Sequence, residues 1–499
     1  MQEKLAQLKT ILAEIADLRY VSQLLGWDQQ TYMPPGGAEG RSHQIALIER
    51  LAHERSTSAE LGRLLEELKP YADSLDPDSD EARLIKVTAR LYDKETRIPS
   101  RHVVEFTEAT TLGYHAWVKA RAESDFSLFR PHLERIVDLR KEYASFFPDC
   151  DHPYDALLDY FEPNMKTAEV KAIFDDLRPK QVELIQAIAA RPQVDDSFLH
   201  QPFDEQKQWA FGEPVITRFG YDWNCGRQDR APHPFTTSFS FKDVRITTRV
   251  DPEFLNSMLF GTMHECGHAL YDAGVNPAYE RTSLGTAASY AVHESQSRMW
   301  ENLVGRSLPF WEYFYPALQE TFPQLSDIPL EKFYKGINKV QPSLIRVEAD
   351  EATYNLHIML RFEIELALLE NRVTVGDLPD LWNTKMQEYL GITPPDDARG
   401  VLQDVHWSSG YLGYFPTYAL GNLISAQMWE TIHQEIPDLP DQIRAGKFDS
   451  LLRWLREKVH RWGAKYDPQE LVQRVTGAPI GATAYLRYLT RKFGEIYGL

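Results

Sequence analysis

Hydrophobic residues recur at every third or fourth position through most of the chain, which is the pattern of amphipathic helices. The first segment shows it clearly, with apolar side chains placed between charged ones at Leu5, Leu8, Leu12, Ile15 and Leu18. This spacing does not resemble the continuous apolar stretch of a signal segment. The same pattern, with breaks at Pro70 and Pro99, predicts helices over 5–25, 38–70, 78–95, 103–146 and 167–190. A mainly α-helical protein is expected.

Two short runs depart from the helical pattern. Thr236–Phe241 and Val244–Val250 are rich in Thr, Phe, Val and Ile, and Lys242-Asp243 separates them. They predict a small antiparallel β-hairpin. Helical patterning returns at 252 and continues to the end, and no long flexible linker is visible. We therefore expect a single unit over 1–499, with approximate subdomains at 1–231, 232–250, 251–430 and 431–499.

Composition and charge narrow the class of protein. The chain has 499 residues, and its 73 acidic and 54 basic side chains give a formal charge of −19. So acidic a surface repels phosphate, which argues against nucleic acid and anionic membranes as partners. Cys150, Cys225 and Cys266 are too few for a disulfide framework, so a cytoplasmic location is expected. No apolar run is long enough to span a bilayer.

Residues 264–268 read His-Glu-Cys-Gly-His, an H-E-x-x-H motif. On a helix, positions i and i+4 share one face, so His264 and His268 can both bind one zinc ion. Glu265 is rotated toward the substrate side, where it can act as a general base without binding the metal. Cys266 lies off the histidine face and is expected to be a packed small residue.

The third ligand is predicted to be Glu294, on a return helix from about Thr286 to Leu303. Two histidines and one glutamate leave the fourth zinc position open for water, as a catalytic site requires. His293 and Asp272 are the competing candidates. His293 points about 100° away from Glu294, so only one of the two can bind the ion. We interpret His293 as a supporting or core histidine.

In these motifs and in others along the chain, the sequence resembles the carboxypeptidase Taq family of gluzincin metallopeptidases over nearly its whole length. Five segments carry the resemblance in family order: His264–His268, the His-Glu-Ser-Gln-Ser stretch 293–297, D-x-R-x-T at 243–247, I-R-x-x-A-D at 345–350 and G-x-x-Q-D-x-H-W at 400–407. The resemblance implies a helical zincin-type fold, with a deep active-site cleft and a small antiparallel β-sheet beside the zinc helix.

The resemblance also implies an activity. It predicts a homodimer with one zinc ion per chain, for which cobalt or another divalent metal can substitute. The expected substrates are peptides with a free C-terminus, from which single residues are removed with broad specificity and with poor action next to proline.

Further residues are assigned to substrate binding. Pro342 is predicted to open a helix to about Asn371, on which Arg346 takes the substrate carboxylate in a bidentate contact. Asp350 is expected to orient Arg346 from one turn away. Arg361, on the same face, is expected to be solvated.

By analogy with related oligopeptidases, which use two tyrosines seven residues apart, Tyr418 is the expected oxyanion donor. His406, Tyr411 and Gln403 are expected to bind substrate. For Arg245, two alternatives are open: it lines the cleft, or it pairs with Asp243.

Three competing functions are considered. An endo-acting oligopeptidase of the related helical type would share the zinc motif and the tyrosines. A non-catalytic peptide-binding protein would have no need of Glu265, because the metal does not require that residue for binding. A structural zinc site would not leave its fourth position open. The sequence therefore predicts a zinc carboxypeptidase.

Overall fold

The computed structural model describes residues 1–499 and confirms the predicted mainly helical fold. The α-helices, numbered in chain order, are α1 Gln2–Thr31, α2 Ala38–Ser56, α3 Ala59–Ser74, α4 Asp80–Arg97, α5 Ser100–Glu123, α6 Arg130–Ser145, α7 Pro153–Leu158, α8 Thr167–Ala189, α9 Glu205–Phe219, α10 Leu255–Asp272, α11 Tyr290–Arg298, α12 Leu308–Thr321, α13 Leu330–Ile337, α14 Tyr354–Leu369, α15 Leu378–Leu390, α16 Pro416–Glu435, α17 Leu439–Arg444, α18 Asp449–Lys458, α19 Pro468–Thr476 and α20 Thr483–Tyr497. None of these helices is long and apolar enough to cross a membrane.

The breaks between the N-terminal helices differ from the predicted ones. Pro70 lies inside α3 and does not end it. The chain breaks earlier, where the Ser58 hydroxyl accepts a hydrogen bond from the Leu61 N–H and caps α3. The predicted helix over 103–146 is interrupted because Ser124 adopts a left-handed conformation with φ of 53° at the end of α5. Side-chain capping and a turn thus set boundaries that hydrophobic periodicity did not indicate.

The small sheet lies beside α10, the helix that carries the H-E-x-x-H motif. It contains β1 Gln228–Arg230, β2 Thr236–Ser240 and β3 Asp243–Thr248 in the order β1-β3-β2. β2 and β3 form the predicted antiparallel hairpin, but β1 pairs with β3 in parallel, so the sheet is mixed and not purely antiparallel. The sequence gives no sign of β1, because its three residues are polar.

One large hydrophobic cluster of 102 buried residues extends from Trp117 to Tyr497. A second cluster of 15 residues joins α1, α3 and α4 to the hairpin and to the loop after α10. In the large cluster, α11 packs against both α10 and α16. This packing brings together the helices that carry the candidate metal ligands and Tyr418.

The predicted helix over 342–371 is wrong in its first part, because α14 begins only at Tyr354. Arg346–Glu348 form a single 3-10 turn instead. The Asp350 carboxylate accepts hydrogen bonds from the backbone N–H groups of Gln341, Ala352 and Thr353, at 3.0, 2.9 and 3.1 Å. The Asp350 side chain thus binds backbone N–H groups that would otherwise be available for helical hydrogen bonds. The segment before Tyr354 is therefore held in an irregular conformation.

Candidate metal centre

His264, His268 and Glu294 converge on one point. The Nε2 atoms of His264 and His268 lie 3.5 and 3.4 Å from the same Glu294 oxygen, Oε2. One ligand atom from each residue lies within 4.8 Å of the other two, so the three side chains can hold a single metal ion. Two imidazole nitrogens and one carboxylate form a donor set that suits a divalent metal and leaves a coordination position open.

Two glycines allow the helices to approach closely enough for this geometry. A Cβ atom on Gly267 of α10 would lie 2.6 Å from the Gln296 carbonyl oxygen and 2.7 Å from the Ser297 Cα atom, both on α11. A Cβ atom on Gly421 of α16 would lie 2.7 Å from Cγ of Glu294. Helix α11 is therefore confined from both sides, which fixes the position of Glu294.

Both carboxylate oxygens of Glu294 have partners on α11 itself. The Arg298 Nε–H donates to Oε1 at 2.7 Å, and the Ser297 hydroxyl donates to Oε2 at 2.9 Å. Burial acts to raise the pKa of Glu294, but Arg298 and the two histidines outweigh it and hold that pKa well below its ordinary value. The side chain is therefore ionised, as a metal ligand must be.

Glu301 supports the other side of the site. Its Oε2 atom lies 2.9 Å from Nδ1 of His264, and it also accepts a hydrogen bond from Arg298 at 3.1 Å. A carboxylate on Nδ1 orients the ring so that Nε2 faces the metal. Glu301 lies in a π-helical segment, Met299–Val304, that continues α11. Arg298 and Glu301 were not predicted from the sequence, although both follow Glu294 at helical spacing on α11 and its π-helical continuation.

His293 and Asp272, the competing ligand candidates, form a hydrogen bond with each other. Nε2 of His293 lies 2.8 Å from Oδ1 of Asp272, and the His293 ring stacks on the His268 ring with centroids 4.4 Å apart. Neither residue belongs to the group whose atoms converge on one point. Cys266 is fully buried in the hydrophobic core, which agrees with a packing role.

Glu265 lies beside the ligand group and is 6% exposed. Its Oε2 atom accepts a hydrogen bond from the Thr236 hydroxyl on β2 at 2.7 Å. Burial raises the pKa of Glu265, and His264 and Thr236 oppose that shift. The sheet therefore positions this carboxylate, and Thr236 is a third residue at the site that was not predicted from the sequence.

Tyr418 and His406 form a pair close to this group. The Tyr418 hydroxyl lies 3.3 Å from Nε2 of His406. Burial lowers the pKa of His406 to about 3; Asp404 opposes this shift, and Arg346 adds to it. The imidazole is therefore neutral at physiological pH. Burial also raises the pKa of Tyr418, so its hydroxyl keeps its proton and can donate. Tyr411, the other predicted tyrosine, is 45% exposed.

The Arg346 guanidinium is buried and paired, but not with Asp350 as predicted. Its Nε and Nη2 donate to Oδ1 of Asp404 at 3.1 and 2.8 Å, and its Nη1 donates to the Tyr354 hydroxyl at 2.9 Å. Asp350 is occupied by backbone N–H groups, because the helix that would have aligned it with Arg346 does not form there. The expectation that Asp350 orients Arg346 is therefore wrong.

Arg361 and Gln403 complete this buried network. Arg361 is fully buried, and its Nε donates to Oδ2 of Asp404 at 2.7 Å, so the expectation of a solvated side chain is wrong. The Gln403 side-chain oxygen accepts from the Arg346 backbone N–H at 2.9 Å and from Arg361 at 2.8 Å. One aspartate thus neutralises charge from two arginines, and Gln403 fixes their positions.

Arg245 on β3 pairs with Asp243, which is the second of the two alternatives considered for it. Its Nε and Nη2 atoms donate to the Asp243 carboxylate, each at 2.8 Å. The guanidinium also lies over the Trp27 ring, 4.4 Å from its centroid. The ion pair and the aromatic contact hold this arginine against α1.

Comparison with known proteins agrees with this site. The family model described as carboxypeptidase Taq (M32) metallopeptidase matches residues 7–493. Thermostable carboxypeptidase 1 of Thermus thermophilus is 41% identical over 495 residues, which cover 97% of each chain. The solved structure of the M32 carboxypeptidase from Deinococcus radiodurans has a TM-score of 0.97 at 41% identity and covers 100% of both chains.

The solved structure of a more distant relative also matches nearly the whole chain. The Pyrococcus furiosus carboxypeptidase structure has a TM-score of 0.96 at 35% identity and covers 99% of both chains. Matches of this extent, together with a ligand group that suits a divalent metal, assign both family and activity. The chain belongs to the carboxypeptidase Taq (M32) family of metallopeptidases and is a metallocarboxypeptidase.

Proposed function

We propose that this chain is a zinc carboxypeptidase in which His264, His268 and Glu294 bind the ion. The observation that carries the proposal is the position of two imidazole nitrogens at 3.5 and 3.4 Å from one Glu294 oxygen. Two neutral nitrogen donors and one carboxylate are a common donor set of catalytic zinc. Zinc, when bound, supplies Lewis-acid chemistry that polarises a peptide carbonyl and acidifies a water molecule.

Glu265 acts as the general base. It accepts a proton from the attacking water and passes it to the leaving amine. Its hydrogen bond from Thr236 keeps the carboxylate beside the ligand group. The protonated Tyr418 hydroxyl donates to the oxygen on which negative charge develops.

The substrates are peptides with a free C-terminus and broad specificity. Arg346 and His406 bind the terminal carboxylate, while Asp404 and Gln403 hold the arginine in place. A guanidinium has more N–H donors than Arg346 uses for Asp404 and Tyr354, so it can also donate to a substrate. Tyr411 lines the path of the peptide, whereas Arg245 is engaged by Asp243. We further propose a cytoplasmic homodimer that binds neither nucleic acid nor membranes; sedimentation at several concentrations tests the dimer.

The decisive experiment is Glu265→Gln, assayed for both zinc content and peptide cleavage. We expect about one zinc ion per chain and a loss of roughly 10²- to 10⁴-fold in kcat, because a general base contributes that much. Near-normal turnover in a zinc-loaded variant contradicts the assignment of Glu265.

A second pair of variants tests the third ligand. Glu294→Ala is expected to lose zinc under dialysis conditions in which the wild type keeps it. His293→Ala is the matched neighbour and is expected to keep more zinc, because its partner is Asp272. If His293→Ala loses zinc more readily than Glu294→Ala, the ligand assignment is wrong.

A further inference from the structure

Several aromatic rings form one exposed surface near the metal centre. Tyr160, Tyr290 and Tyr411 are 61%, 47% and 45% exposed. All three contact Phe161, with ring centroids 4.9, 5.5 and 6.0 Å from its own. With Tyr414, 5.0 Å from Phe161, these five residues are called here the aromatic surface. Phe161 itself is buried, and a contiguous group of exposed tyrosines around it is typical of a binding surface.

The aromatic surface is continuous with the metal centre. Tyr290 precedes Glu294 by four residues on α11, so the two side chains lie on the same face of the helix, about one turn apart. Tyr414 joins the surface to the predicted oxyanion donor, with its ring centroid 5.6 Å from Tyr290 and 5.2 Å from Tyr418. A peptide bound at the metal must therefore pass close to these rings.

The backbone under the aromatic surface is held by hydrogen bonds. The Tyr290 N–H donates to the Phe161 carbonyl oxygen at 3.1 Å, which ties two of the rings together. The Gly413 N–H, next to Tyr414, donates to the buried Glu365 carboxylate at 3.0 Å. A surface ordered in this way loses little conformational entropy when a ligand binds.

The charged groups beside the rings already have partners, which favours an apolar ligand. The Nε–H of Arg140, near Tyr160 and Tyr411, donates to the Gly410 carbonyl oxygen at 2.6 Å. Asp159, beside Tyr160, already binds Arg90 and Lys94, each at 2.6 Å. It therefore has little capacity to attract a basic side chain. The rings contact one another at steep angles of 74–89° across Phe161, which leaves edges and faces available to a further ring.

The direction in which the substrate is bound determines which substrate residue contacts these rings. A carboxypeptidase substrate ends one residue after the scissile bond, and the rest of the peptide extends upstream. The proposed carboxylate anchor, Arg346, is only 5% exposed, whereas the aromatic surface is open to solvent. We propose that the aromatic surface binds the side chain immediately upstream of the scissile bond and selects peptides with an aromatic or large apolar residue there. This inference rests on the proposed function.

The test measures kcat/KM of the zinc-loaded full-length enzyme on acetylated tripeptides. Ac-Ala-Phe-Ala places phenylalanine directly upstream of the scissile bond, Ac-Ala-Ala-Phe places it at the C-terminus, and Ac-Ala-Ala-Ala is the reference. We expect the wild type to prefer Ac-Ala-Phe-Ala over the reference. Tyr290→Ala and Tyr160→Ala are expected to reduce that preference about threefold to tenfold, the loss of one aromatic contact.

Two controls separate this effect from damage to the enzyme. Tyr290→Phe keeps the ring and is expected to keep the preference. Tyr114→Ala removes a tyrosine of equal exposure, 45%, that lies on α5 outside the aromatic surface, and is expected to leave kcat/KM unchanged on all three peptides. Zinc content is measured for each variant, so that a displaced Glu294 is recognised.

Each result has a distinct meaning. An unchanged preference in zinc-loaded Tyr290→Ala and Tyr160→Ala overturns the inference. A loss confined to Ac-Ala-Ala-Phe overturns it too, because the rings then contact the C-terminal residue. Failure of the wild type to release the last residue from any of the three peptides refutes the proposed function instead.

Discussion

Gly267→Ala tests whether helix contact builds the metal centre. The added Cβ would lie 2.6 Å from the Gln296 carbonyl oxygen and 2.7 Å from the Ser297 Cα atom. Both are backbone atoms of α11, so no flexible side chain can move aside. Because His264 and His268 lie on α10 and Glu294 lies on α11, separating the two helices separates the ligands.

The size of the effect follows from these distances. An ordinary carbon contact needs about 3.5 Å, so the helices must separate by roughly 0.8 Å. Functional groups must be held within about 0.5 Å of their productive geometry, so this shift damages the site. We expect zinc affinity to fall about 10- to 100-fold, as for the loss of a supporting contact. Overpacking is also expected to lower the free energy of unfolding by about 1–3 kcal/mol.

The assay is competition for zinc between the apoenzyme and a chelating indicator, combined with thermal unfolding. Gly261→Ala is the matched control, because it lies on the same helix and its Cβ would have nothing within 4 Å. We expect that control to bind zinc normally and to gain up to about 1 kcal/mol from helix propensity. If Gly267→Ala binds zinc as tightly as Gly261→Ala, close contact of the helices does not position Glu294.

Three further predictions concern residues around the site. Glu301→Gln removes the charged partner of His264 and is expected to lower zinc affinity about 10- to 100-fold, measured by the same competition; unchanged affinity would rule out a role for this pair. Burial raises the pKa of Glu365 to about 7, so stability is expected to fall as pH rises from the ordinary glutamate pKa to about 7. Denaturant unfolding from pH 4.5 to 8 should show a flatter dependence in Glu365→Gln, and identical curves would refute this. Arg346→Ala is expected to lose about two to four powers of ten in kcat/KM on a free-acid peptide but little on the matched amide; equal losses would indicate a structural role.

The convergence of the candidate metal ligands could be predicted from the sequence, because local geometry largely determines it. The spacing of His264 and His268 places both on one face of a helix wherever that helix lies. The prediction of Glu294 required one assumption, that a return helix carries it back to the histidines. Helix α11 is that helix. Arg298 and Glu301 follow on the same helix and its π-helical extension, so their spacing was a usable signal. Gly267 gave no signal in the sequence, because its importance depends on how closely α11 approaches α10.

The arginine network could not be predicted, since its contacts join distant segments. Arg346 and Asp404 are 58 residues apart, and Arg361 and Asp404 are 43 apart. Helical periodicity suggested Asp350 as a partner, but it assumes a helix where the chain is irregular. A buried arginine needs a carboxylate, and no local pattern says which aspartate supplies it.

Contacts with the protein alone hold Glu294 tightly in place. Arg298 and Ser297 occupy its two oxygens, and Gly267 and Gly421 leave no space for α11 to move. A carboxylate fixed in this way needs little rearrangement to bind a metal, so less binding free energy is spent on ordering it. Metal affinity then depends on the contact between helices as well as on the three ligands. Substitutions at Gly267 or Gly421, which touch no metal, should therefore lower metal affinity as the loss of a supporting contact does.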